Sequence, residues 1–201
     1  KSQTHLPVMV SPGVLSGWAL RQMADSGADF YACYQETHNP ELFSQLRTGQ
    51  SFSERLAVKQ KAAEFNLLIE EGILCGVGET LKDVIDSFDV MKTLNIDQTR
   101  VMGFVPQMGT PMENHPVADI KMELIILAVL RLLFPDRLIP ASLDVEGVSG
   151  LAKRLDAGAN VVTSIVPAGK GLAGVAQNSL DIEDSRRTVA QVKKILLSCG
   201  N

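Results

Sequence analysis

Short polar clusters stand directly after the apolar runs of this chain, and they hold most of the side chains that could do chemistry. They are Tyr34-Gln35-Glu36-Thr37-His38, Gly76-Val77-Gly78-Glu79-Thr80, Pro106-Gln107-Met108-Gly109-Thr110-Pro111, Ser142-Leu143-Asp144-Val145-Glu146-Gly147 and Thr163-Ser164. Arg100 is the most informative single residue. In an extended run the faces alternate, so Arg100 shares one with Met102 and Phe104, where a guanidinium needs an anion. That anion is a substrate carboxylate or a buried Asp; at the rim of a strand it is instead a surface acid. Ser142 and Asp144, two apart, offer a hydroxyl and a carboxylate suited to an ammonium, unless Asp144 only caps the turn that follows.

Other candidates read more plainly from the pattern. Glu36 and Arg55 look like solvated charges. His38 precedes Asn39-Pro40 with no His or Cys at ligand spacing, so it reads as a turn residue. Gly76-Val77-Gly78 lacks the third glycine of a dinucleotide loop and reads as a tight turn, with Glu79 steadying the first turn of the next helix. Cys33, Cys75, Trp18 and the Leu/Ile stripe of Met122 to Phe134 read as core.

Elements must bring these clusters to one end of a framework. Apolar or β-branched runs at Leu6 to Val10, Asp29 to Tyr34, Leu67 to Cys75, Gln98 to Val105, Leu138 to Ser142 and Asn160 to Ile165 alternate with segments of helical period. The helices are expected at Leu15 to Ser26, Ser51 to Glu64, Thr80 to Leu94, Asp119 to Phe134, Ser149 to Asp156 and Asp184 to Leu197. Gly27-Ala28-Asp29 and Gly158-Ala159-Asn160 repeat one device, a glycine cap followed by a strand. Ser51 with Glu54 and Thr80 with Asp83 resemble capping boxes. This order predicts parallel strands with right-handed crossovers. With 201 residues, each unit has about 33, and eight such units match the roughly 250 residues of a (β/α)₈ barrel. From pattern alone, a barrel lacking two units and a complete doubly wound sheet both fit. No Pro/Gly/Ser-rich linker divides the chain, so a single domain is expected.

Composition narrows the functional classes. The residues are 45% hydrophobic and 21% charged, with a formal charge of −4 and no block of like charge. That argues against disorder, and against nucleic acid or a membrane surface as partner. The longest apolar run is too short to cross a bilayer and contains Arg131. The 3 cysteines lie too far apart for a zinc knuckle or an iron–sulfur loop, and read as reduced thiols of a cytoplasmic protein.

Taken together, Val10-Ser11-Pro12-Gly13, Tyr34-Gln35-Glu36-Thr37, Leu46 to Phe52, Gly72-Ile73-Leu74-Cys75-Gly76-Val77-Gly78-Glu79 and Pro106 to Pro111 resemble radical S-adenosylmethionine enzymes of the biotin synthase group. Within that group, Arg131 to Pro135, Leu138 to Gly147 and Gly158 to Ile165 resemble the mutases that turn lysine into 3-methylornithine for pyrrolysine biosynthesis. The resemblance runs from near Leu6 to about Leu197. It implies an α/β fold, a (β/α)₈ TIM-type barrel present here as about six βα units, the C-terminal portion of one barrel domain. The CxxxCxxC loop that holds a [4Fe–4S] cluster in the family is not in this sequence. The chain as given is therefore expected neither to assemble the cluster nor to catalyse the reaction.

The resemblance also implies residue roles. Glu36, with Gln35 beside it, and Arg55 match contacts to S-adenosylmethionine, against the solvated-charge reading of Glu36 and Arg55. Gly76, Gly78, Phe104, Val105 and Pro106 match segments lining the adenosyl pocket. Arg100, Ser142 and Asp144 match residues that hold the amino-acid substrate, with Thr163 and Ser164 nearby. Partners implied are lysine and an electron donor such as ferredoxin or flavodoxin. A hydrogenase-maturation or biotin-synthase-like enzyme is the alternative within the group; a non-catalytic small-molecule-binding domain is the alternative outside it.

Overall fold

Each strand expected from the alternation forms within its expected span in the computed structural model, which describes residues 3–169, 182 and 184–199. The chain divides inside a strand, with no linker, into two compact units, Lys1–Val101 and Met102–Asn201.

In the first unit the order is β1 (Met9–Val10), α1 (Gly17–Asp25), β2 (Phe30–Ala32), α2 (Pro40–Leu46), α3 (Phe52–Glu64), β3 (Leu68–Cys75), α4 (Leu81–Leu94) and β4 (Gln98–Gly103), the last crossing the division. The sheet runs β1-β2-β3-β4. β2 is parallel to β1, with Val10 opposite Tyr31, and to β3, with Ala32 opposite Glu70. Thr80 and Asp83 complete a reciprocal capping box at the start of α4, and Ser51 accepts from the Glu54 amide at the start of α3. α2 is the helix that pattern reading missed. Asn39 and Pro40 do not make a mere turn: the Asn39 side chain accepts from the Glu41 and Leu42 amides, and Pro40 takes the first helical position.

Trp18 is not core. It is 74% exposed, whereas Leu20 is fully buried; two helical positions turn about 200°, so a helix that buries Leu20 turns Trp18 to the outside.

The second unit continues with α5 (Ile120–Leu133), β5 (Pro140–Ser142), a 3₁₀ turn at Gly147–Gly150, α6 (Leu151–Asp156), β6 (Val161–Thr163) and α7 (Val189–Ser198). β5 and β6 are parallel, with Ser142 opposite Thr163. The apolar stripe on α5 is only partly a buried face: Ile126, Leu127 and Leu130 are inside, while Ile125 and Leu132 are 60% and 81% exposed. A buried carboxylate does the joining instead. Glu123 accepts the Gly103 amide at 3.1 Å and Arg154 Nε at 2.6 Å, and Arg154 Nη1 reaches Glu146 at 2.9 Å. Burial works against ionisation of Glu146, but Lys153 and Arg154 outweigh it and hold its carboxyl below the usual range.

The two glycine junctions behave as expected, with Gly27 and Gly158 both left-handed. Gly158 has a second constraint, since a Cβ there would sit 2.8 Å from Arg131 Cβ. Gly158→Ala is expected to lose on the order of 2–4 kcal/mol, combining left-handed strain with a clash. Gly109, at φ +79° with nothing within 4 Å of its would-be Cβ, supplies the control: Gly109→Ala should lose only about 1–2 kcal/mol. Denaturant unfolding of both variants checks the difference.

Candidate functional site

Two adjacent acids in the middle of β3 organise the first unit, because alternation sends Glu70 and Glu71 to opposite faces of the sheet. Both are fully buried, so each needs its own donors.

On one face, Glu70 Oε2 accepts from Tyr34 Oη at 2.7 Å, and its Oε1 accepts from Gln98 Nε2 at 2.5 Å and Arg100 Nε at 2.9 Å. The anion that Arg100 requires is thus present in the chain itself, as a glutamate from the neighbouring strand. Arg100 is 9% exposed, so it is not a rim residue. Burial pushes the Tyr34 hydroxyl up, and Arg100 opposes that shift.

The opposite face packs on α3, whose buried residues Arg55, Val58, Lys59 and Ala62 include two cations. Lys59 Nζ pairs with Glu71 Oε2 and donates to Gln35 Oε1 at 3.0 Å. Glu71 Oε1 accepts the Gln35 and Gly72 amides at 2.7 and 2.8 Å. Burial alone would raise the Glu71 carboxyl, but Lys59 and His38 outweigh it and bring it down to about 2. His38 is buried beside this pair, with Nε2 3.6 Å from Glu71 Oε2. It lies in the bend that leads into α2, a turn residue that is buried.

This buried network fixes the start of the strand-end loop after β2. Glu36 adopts a left-handed backbone, φ 68°, and bridges to Ile73 of β3. Its half-buried carboxylate pairs with Arg47, and burial, opposed by Arg47, moves its pKa upward. Arg55 is buried; its Nε donates to the Tyr34 carbonyl at 2.7 Å and its Nη1 to Gln50 Oε1 at 3.0 Å. Neither is a freely solvated charge. Arg55 also borders a cavity of about 350 Å³ with Gly13, Gly49 and Gln50. Gln35 differs from these two: its amide is spent on the Phe52 carbonyl and Lys59, and its side chain points to α3. A ligand contact from its side chain would cost both bonds.

Gly76 and Gly78 both have positive φ, 83° and 105°. Glu79 does not steady the next helix. It folds back to accept the Gly76 and Val77 amides at 2.7 and 2.8 Å, closing the glycine turn.

The second unit gathers Ser142, Asp144, Thr163 and Ser164. Asp144 Oδ2 accepts from Ser164 Oγ at 2.6 Å and Ser142 Oγ at 3.3 Å, and Oδ1 lies 3.5 Å from Arg187 Nη1. Asp144 is 6% exposed and Arg187 fully buried, so Asp144 is more than a turn cap. Ser164 reaches it from a left-handed backbone, φ 63°. Phe104, Val105 and Pro106 are half-buried. Phe104 meets His115 edge to face and lines a cavity of about 340 Å³ with Ile120, Glu123 and Val145.

Pattern reading missed Glu70, Glu71, Lys59 and Arg187. The first three had a signal: two acids inside a strand and a lysine on the inner face of a helix must be paired if the strand is buried. Arg187 had none, since nothing local links it to Asp144 43 residues away. Cys33 and Cys75 are buried and Cys199 exposed. Among the described residues no group of three His, Cys, Asp or Glu could hold a metal ion. Nor is any helix among them long and apolar enough to cross a membrane.

No protein-family model matches the chain. It is 46% identical over 200 residues to 3-methylornithine synthase of Methanosarcina acetivorans, covering 100% of this chain and 57% of that protein. It is 32% identical over 141 residues to the [FeFe] hydrogenase maturase subunit HydE of Thermotoga maritima, covering 69% of this chain and 40% of the relative. Among solved structures, it matches the crystal structure of a methylornithine synthase with a TM-score of 0.93 and 44% identity, over 100% of this chain and 59% of that one. The chain thus spans less than two thirds of the length of these relatives. The fold class follows from this match: these are βα units of the TIM-type barrel of radical S-adenosylmethionine enzymes, and not a doubly wound sheet.

Proposed function

We propose, from the chain's homology along its whole length to the 3-methylornithine synthases, that it carries substrate and cofactor contacts of a radical S-adenosylmethionine mutase converting L-lysine to 3-methylornithine. The observation that carries this reading is that each unit buries one charged side chain of the needed sign, a guanidinium on β4 in the first, Arg100, and a carboxylate just after β5 in the second, Asp144. An amino acid presents the complement, a carboxylate and an ammonium. Ser142 and Ser164 add hydroxyls beside Asp144, with Thr163 opposite Ser142 on the neighbouring strand, which suits a polar group that must be bound without water.

The cofactor side is read the same way. Glu36 and Arg55 bring a half-buried carboxylate and a buried guanidinium, fit for the amino-acid and ribose portions of S-adenosylmethionine. The open turn at Gly76 and Gly78 lets backbone approach a ligand, since the nearest atom to a Cβ on Gly78 would be 3.9 Å away. Phe104, Val105 and Pro106 offer an apolar wall for the adenosyl group. When bound, S-adenosylmethionine with its [4Fe–4S] cluster supplies the radical that takes hydrogen from the substrate. The described residues contain no ligand set for that cluster. The electron would come from a donor such as ferredoxin or flavodoxin, and the reducing cytoplasm is the compartment that suits such chemistry.

The test is the product. The protein expressed in full from its gene, reconstituted with iron and sulfide and given S-adenosylmethionine, a reductant and lysine, should yield 3-methylornithine. Because the product is an isomer of lysine, a new branched methyl signal in the proton NMR spectrum reports it. Cofactor cleavage with no lysine-derived product would sink the assignment.

A further inference from the structure

We infer that Glu70 is a positioning residue for Arg100, and that through Arg100 it sets a preference for ligands bearing an α-carboxylate. The inference rests on the reading of Arg100 as the contact to the substrate's carboxylate.

Glu70 cannot easily be a ligand contact itself. It is fully buried, and both its oxygens are taken by donors from β4 and from the end of β2: Tyr34 Oη on one, Gln98 Nε2 and Arg100 Nε on the other. What these bonds do is fix Arg100. The Nε contact sets the rotation of the guanidinium about its own stem, and the same carboxylate holds Tyr34, whose ring centroid lies 5.7 Å from the guanidinium carbon. The close fit depends on Gly72, on the same face two residues along: a Cβ there would stand 3.0 Å from Tyr34 Cδ1 and 3.4 Å from Arg100 Cβ. Tyr34, Glu70, Gly72 and Arg100 thus form a socket in which the arginine's stem has little freedom.

A guanidinium oriented in advance loses less freedom on gripping a carboxylate, so affinity for that group depends on the socket. A buried acid with only a structural role would affect every ligand alike. One that works through Arg100 affects only ligands with a carboxylate for Arg100 to hold.

The experiment uses the protein expressed in full from its gene and calorimetric binding of two ligands, lysine and 1,5-diaminopentane, which lacks the carboxylate. Glu70→Gln keeps the shape and removes the charge; it should weaken lysine binding about tenfold or more and leave diaminopentane binding unchanged. In an Arg100→Gln background the same change should weaken lysine no further. If Glu70→Gln does not fold, Tyr34→Phe, which keeps the ring and removes one donor, should show the same selectivity at smaller size. Equal weakening of both ligands, or of neither, overturns the positioning role while leaving the lysine reading intact. A wild-type protein that makes no lysine product and does not bind lysine overturns both.

Discussion

Lys59→Met should be among the most destabilising single substitutions in this chain, lowering the unfolding free energy by about 3–5 kcal/mol, the usual cost of stripping one partner from a buried ion pair. Lys59 and Glu71 are both fully buried. Methionine fills much of the lysine stem's volume, so the loss reports the stranded carboxylate rather than a cavity. Glu71 also accepts the Gln35 and Gly72 amides, so deleting its side chain would orphan backbone donors as well. Lys59→Met combined with Glu71→Gln should therefore recover much of the loss, because a glutamine oxygen still accepts those amides without a buried charge. A pair that is no better than Lys59→Met alone in urea unfolding would show that packing, not charge, dominates.

Acidity gives the same network a second signature. Glu71 is held at about 2 against an ordinary 4.5. A carboxyl whose folded pKa is depressed contributes its full stabilisation above the unfolded value and loses it as pH falls towards the folded one. Wild-type stability should therefore decline between about pH 4.5 and 2 in part through Glu71. In Lys59→Met the first of its two lowering partners is gone and only His38 is left to oppose burial, so this part of the acid loss should shrink.

The framework was legible because its signals are local. Period 2 and period 3.6 runs, glycine caps at Gly27 and Gly158 and the Thr80–Asp83 box each depend on a few neighbouring residues, and those elements form within or near their expected spans, the last helix starting at Val189 rather than Asp184 and α6 following a 3₁₀ turn. α2 escaped because Asn39-Pro40 serves equally as a turn and as a helix start. Trp18 and Leu132 were misplaced because an apolar side chain does not say which face of its helix finds a partner. The site was legible in its residue types but not in its partners. Arg100 announced that it needed an anion, yet whether that anion is substrate, Asp or the Glu70 of an adjacent strand depends on strand order and register. Glu36 looked solvated until the bridge to Ile73 and the Arg47 contact half-buried it. Asp144 stayed open between a ligand contact and a cap because its partners, Ser164 and Arg187, come from 20 and 43 residues away.

If Asp144 receives the ammonium of lysine as proposed, Asp144→Asn, made in the protein expressed in full from its gene, should lower kcat/KM for lysine by about 30-fold to 5,000-fold, the range that corresponds to about 2–5 kcal/mol for truncating a buried charge contact. The carboxylate is almost sealed, but its partners are unequal. Ser164 Oγ is close at 2.6 Å, while Arg187 stands at 3.5 Å, the long end of hydrogen bonding. On the proposed reading, an entering ammonium meets a carboxylate that the hydroxyl holds in place and that Arg187 contacts only at the longer distance. Asparagine can still accept from Ser164, but it offers an NH₂ where the ammonium needs an acceptor, and it leaves the buried Arg187 facing a neutral group. The second effect makes some loss of stability unavoidable, so activity alone does not decide the matter. Ser164→Gly separates the two. It removes the hydroxymethyl side chain, at a left-handed backbone that glycine adopts without strain, and should weaken lysine by about tenfold, the worth of a hydrogen bond to a charged group, with unfolding little changed. If Ser164→Gly and Asp144→Asn both fold and both bind lysine as the wild type does, Asp144 does not receive the substrate ammonium, and the cluster around it only closes the end of β5.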